Sequence, residues 1–105
     1  MLRIVDVIQT LIQQVRPLAD AVGRKDASLA TQLRRALSSA ALNTAEGSCQ
    51  RGARRTNHYC IALGSARESL VALRAAEAWG YIAPLAPDVV DRFDHVIGTL
   101  VKVVR

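Results

Sequence analysis

A chain of 105 residues has room for one domain with one modest core and not for two. Half of its residues are apolar but only 4% are aromatic, which excludes a core of large rings and leaves thin, close-packed layers of alanine, leucine and valine. The formal net charge of +5 points toward an anionic partner, and two cysteines are too few for a disulfide framework.

Residues 2–22 read as an amphipathic helix. Ile4, Ile8, Leu11, Val15, Leu18 and Val22 step by four and three, and Val5, Ile12 and Ala19 form a second stripe beside them. Two stripes make a wider apolar face than one partner helix covers, so either the bundle buries both or the second meets another subunit. Pro17 is expected to bend this helix after Gln13, and Gly23 to end it in a left-handed cap.

Asp26 is placed to cap a second helix that runs to about Gly47. Its core face tapers from Leu29, Leu33 and Leu37 to Ala40, Ala41 and Thr44. Ala36, Ala40, Asn43 and Gly47 line up alongside, so another helix must come close. Gln50 to Asn57 reads as a short basic connection, with Thr56 capping a third helix that reaches about Trp79. Tyr59, Leu63, Ala66, Leu70 and Leu73 form its core stripe, flanked by Ala62, Ser65, Ser69, Ala72 and Ala76.

Gly80 suits the left-handed position at the end of that helix. Pro87 suits the first turn of a fourth helix, with Asp88 and Asp91 near its positive end. Val89, Phe93, Val96, Leu100 and Val103 give the last stripe, with Val90, Ile97 and Val104 beside it. Four helices with short links imply an all-α, antiparallel up-down-up-down bundle in a single domain over residues 1–105.

Arg3, Asp6 and Gln9 interrupt any signal-peptide apolar region, and no apolar run approaches the roughly 20 residues that span a bilayer. A cytoplasmic protein with reduced thiols and no membrane contact is the expectation.

Residues 29–82 resemble the four-helix-bundle proteins encoded in intervening sequences of bacterial 23S ribosomal RNA, the S23 ribosomal protein family. The matching pieces are Leu29, Gln32-Leu33-Arg34-Arg35-Ala36, Asn43-Thr44-Ala45-Glu46-Gly47, Ile61-Ala62-Leu63-Gly64-Ser65, Glu68 and Gly80-Tyr81. They cover about half the chain in the family's order. Thr44 stands where the family has isoleucine, and Asn57 and His58 replace aromatic positions while Tyr59 is kept. The resemblance implies a ring-shaped homopentamer. The family includes the accessory protein of diversity-generating retroelements, which binds nucleic acid and a reverse transcriptase, so RNA, DNA or a nucleic-acid-processing protein are the implied partners.

Asn43, Glu46, Gly47, Gly64, Ser65 and Glu68 could be taken for a catalytic cluster. A structural reading is preferred: Glu46 and Glu68 pair with Arg34, Arg35 or Arg67, Asn43 satisfies a backbone group, and the glycines permit close approach. Cys49, His58 and Cys60 fall short of a four-ligand zinc set, and the two cysteines are expected to be small buried thiols. No cofactor, no metal and no enzymatic activity are expected.

The arginines carry the functional signal. Residues 34–77 hold seven arginines against three glutamates, which is four of the five net positive charges. Twelve of the fourteen basic residues are arginine, whose forked guanidinium suits phosphate. Arg51, Arg54 and Arg55, with Arg34 and Arg35 about three turns back along helix two, are the candidate nucleic-acid-binding residues. Tyr59, Tyr81 and Trp79 read as core or cap residues rather than a stacking platform. The alternative is a protein-interaction scaffold whose arginines form intersubunit ion pairs.

Overall fold

The computed structural model describes residues 3–105, and these form four helices with no strand. Helix α1 spans Ile4–Gly23, α2 Ala27–Ser48, α3 Gly52–Ala78 and α4 Pro87–Val104. The expected start of the first helix at residue 2 lies outside the described residues. Helix α2 packs against α3 and α1, and α4 packs against α3 and α1, which is the neighbour pattern of a four-helix bundle.

The α2–α3 packing is the most extensive, and its sequence says why. Ala36, Ala40, Thr44 and Gly47 on α2 are buried, as are Ala62, Ala66, Ser69 and Ala72 on α3. Small side chains let two backbones approach closely, and the area lost per residue is recovered over a long contact. Thr44, fully buried, donates its hydroxyl to the Ala40 carbonyl at 2.7 Å and so brings no unpaired group into the core. Larger groups fill the centre: Tyr59, Phe93, Ile8, Leu11, Leu33, Leu73 and Leu100 are each fully buried.

Both stripes of α1 are accounted for within the bundle. Val5 and Ala19 are buried and Ile12 is packed against the core, while Val90, Ile97 and Val104 of α4 are likewise half-buried. The large apolar side chains left open lie elsewhere, at Leu42 of α2, at Ile61 and Val71 of α3, and at Trp79 just beyond α3. The outer side of α3 mixes Arg67, Glu68 and Arg74 with the open Ile61 and Val71, while its buried side carries no charge.

The helix ends divide into expected and corrected cases. Asp26 caps α2, its carboxylate accepting from the Leu29 amide at 3.0 Å. Gly80 is left-handed at φ +76, with its amide on the Glu77 carbonyl and that of Tyr81 on the Ala76 carbonyl, each at 2.9 Å. Gly23 is not left-handed: it is the last helical residue of α1, and Arg24 follows in the right-handed helical region. The extended backbone of Asp26 reverses the chain there, so no left-handed residue is required. Helix α1 continues without a break through Pro17.

The start of α3 also differs from expectation. It begins at Gly52, several residues before Thr56, so the α2–α3 link is only Cys49–Arg51. Gly52, with φ +60, makes this tight reversal possible. The Thr56 hydroxyl turns back to the Gly52 carbonyl at 3.3 Å and caps nothing.

Candidate nucleic-acid interface

Shortening the link moves two of the three clustered arginines onto a helix. Arg51 is the N-cap of α3 in extended conformation, and Arg54 and Arg55 fall in its first turns; all three are exposed. No side chain caps this helix, and no acidic residue stands in its first turn. The free amides and the positive end of the dipole of a 27-residue helix therefore add to three guanidinium charges. Arg55 has its guanidinium carbon 5.1 Å from the centroid of the Tyr59 ring, a cation–π contact that limits where this side chain can go.

Among the described residues there are two ion pairs, and neither uses this cluster. Arg34 meets Asp20 at 2.9 Å and Arg74 meets Glu77 at 2.9 Å. Arg51, Arg54, Arg55 and Arg35 make none among the described residues. Arg34 is drawn to α1 rather than to the link, and it lines a groove of about 260 Å³ with Ile12, Val15, Arg16 and Leu37. Arg35 lies about 20 Å along α2 from its C-terminal end. The structure thus brings Arg51, Arg54 and Arg55 together and leaves Arg34 and Arg35 apart from them.

The six motif residues separate into different tasks. Asn43 donates to the Ser39 carbonyl at 3.0 Å and to the Ser39 hydroxyl at 3.1 Å, as a residue satisfying local groups should. That fixes its amide, so Asn43 Oδ1 accepts from His58 Nδ1 at 3.0 Å and His58 carries its proton on Nδ1. Ser65 donates to the Ser39 hydroxyl at 2.9 Å, and Ser69 donates to the Ser65 carbonyl at 2.8 Å. These bonds form a polar chain across the α2–α3 contact. Ser39 and His58 were not singled out from sequence as its members, because nothing local marks residues that meet only when two helices pair.

Three expectations are corrected. Glu46 and Glu68 are exposed and form no ion pair with Arg34, Arg35 or Arg67. Gly64 is exposed, with open space where a β-carbon would stand, so it serves no close approach within this chain; Gly47 does, against Tyr59. Cys49 and Cys60 are exposed rather than buried. Among the described residues, no three histidine, cysteine or acidic side chains lie close enough to share a metal ion. No helix among them is long and apolar enough to cross a membrane.

Comparisons with protein-family models, with characterised proteins and with solved structures find no match to this chain.

Proposed function

We propose that the chain is a non-enzymatic, cytoplasmic adaptor of the S23 type that holds the phosphates of RNA or DNA through Arg51, Arg54 and Arg55. The observation that carries this reading is the charge at the start of α3: three exposed arginines, unpaired among the described residues, beside an uncapped helix end. Such a surface neutralises phosphates and releases counterions, giving affinity that depends on salt and little on base sequence. Assembly of antiparallel bundles into a homopentameric ring would repeat the cluster around an axis and multiply its potential. The antiparallel arrangement is supported by the order of contacts, since Ser39 meets Ser65 while Gly47 meets Tyr59. Self-association is supported by the apolar residues left open at Leu42 and Val71.

Exposed Glu46 and Glu68, in no ion pair among the described residues, favour a second reading. In it the bundle is a protein scaffold whose arginines pair with these carboxylates on a neighbouring subunit. Mobility-shift titrations with RNA and DNA, paired with light scattering, separate the two. For the adaptor, Arg54→Glu with Arg55→Glu leaves the oligomer intact, weakens binding and lowers the log–log salt slope by about two. Negligible binding at low salt, or binding unchanged by the reversal, sinks the adaptor; dissociation of the oligomer by the same reversal favours the scaffold.

A further inference from the structure

The end of the bundle away from the arginine link carries the chain's one tryptophan in the open. Trp79 follows the last residue of α3 as its C-cap, one of the two places expected for it, and its side chain is 72% exposed rather than in the core. The left-handed turn at Gly80 brings Tyr81 alongside it, with ring centroids 6.4 Å apart and planes within 18° of parallel. Tyr81 packs on the small cluster of Val22, Ala30 and Ala76, and its hydroxyl lies 3.5 Å from Asp26 Oδ2, a long contact. The aromatic pair is therefore fixed beside the turn between α1 and α2.

That turn presents Arg24 and Lys25, both exposed and neither in an ion pair among the described residues. The nearby carboxylates are already engaged. Asp26 caps α2 with one oxygen, and Glu77 is held by Arg74 and by the Leu85 amide. Two cations and one capping carboxylate thus stand on the turn that Tyr81, the neighbour of the open indole, reaches through Asp26.

We infer that this end is a stacking platform for a base of a single-stranded nucleic acid, the indole of Trp79 meeting the base and Arg24 and Lys25 meeting its flanking phosphates. Every base has a π-face, so an open aromatic ring beside cations binds single strands without reading sequence. A second copy related by a two-fold axis here fits less well, because it would set Arg24 and Lys25 against the same two cations. A duplex fits less well too, since its bases are already stacked. The 22 residues of α2 put this end about 33 Å from the α2–α3 link, so it is a contact separate from Arg51, Arg54 and Arg55.

The lone tryptophan is its own probe. Titration of the full chain at low salt with oligo(dT) is expected to quench indole emission, and a duplex of the same length to leave it unchanged. Trp79→Ala is expected to lose about tenfold in single-strand affinity with duplex affinity unaltered, and Trp79→Phe to recover most of it. Arg24→Glu with Lys25→Glu should abolish the quenching, while Arg54→Glu with Arg55→Glu should leave it in place. That last pair keeps the fate of this contact distinct from the fate of the arginine cluster. Emission unmoved by saturating single strand overturns the inference, as does equal quenching by duplex. Emission that shifts with protein concentration alone also overturns it, and assigns the ring to a second copy.

Discussion

Gly47 lies against the ring of Tyr59 so closely that a β-carbon at position 47 would stand 2.7 Å from Cε1 and 2.8 Å from Cδ1. Tyr59 is fully buried, so the ring has little freedom to move aside. Glycine inside α2 therefore leaves the room that the Tyr59 ring of α3 occupies.

Gly47→Ala sets two effects against each other. Alanine gains about 1 kcal/mol of helix propensity over glycine, while overpacking costs about 1–3 kcal/mol. Because the neighbour is a fixed ring, the expected net effect is a loss of about 1–2 kcal/mol in urea unfolding. Tyr59→Leu in the same chain should relieve part of that loss. A more stable Gly47→Ala protein would show that the ring yields.

The Tyr59 hydroxyl is buried without a hydrogen-bond partner among the described residues. An unpaired buried hydroxyl costs about 1–3 kcal/mol, and Tyr59→Phe removes it while keeping the ring that Arg55 overlies. The phenylalanine variant is expected to match the parent or exceed it by up to about 1 kcal/mol in chemical denaturation. A loss larger than this would reveal a partner for the hydroxyl in solution.

Glu77 ties the α3–α4 link to the helix it leaves. Its Oε2 accepts the Leu85 amide at 2.6 Å, and Arg74 bonds both carboxylate oxygens, at 2.9 and 3.1 Å. The Leu85 amide first, and Arg74 second, hold this carboxyl below the ordinary value of 4.5, with desolvation opposing them in part. A depressed folded-state pKa contributes stability that is present above the unfolded value and lost as pH falls through the folded one. Thermal unfolding midpoints should therefore drop as pH falls below 4.5, and drop less steeply in Glu77→Gln, which starts lower at neutral pH. Parallel curves for the two proteins would refute this.

Much of the fold was legible because each helix repeats apolar residues at steps of three and four, and most of those residues are buried. Asp26 and Gly80 were legible as helix ends because each has a local task that few other residues perform. The start of α3 was not, since Arg51 caps it without a side-chain bond and Thr56 offered a better-looking signal that the chain does not use. The fates of Glu46, Glu68 and Arg34 were hidden for another reason. Surface charges take partners from whichever helix the bundle places beside them, and Arg34 found Asp20 across the first turn. The arginine cluster was visible as composition, but only the short link showed it to be the start of a helix.

The polar chain from Ser65 through Ser39 and Asn43 to His58 has a consequence apart from stability. The alanine-lined part of the contact is smooth and by itself resists a slide of one turn, about 5.4 Å, only weakly, so register there depends on other groups. Sliding would pull each of these groups from its partner and leave them half-buried and unpaired. The bonds thus act as a vernier, holding the alanine stretch in the same register that the fit of Tyr59 against Gly47 sets nearby.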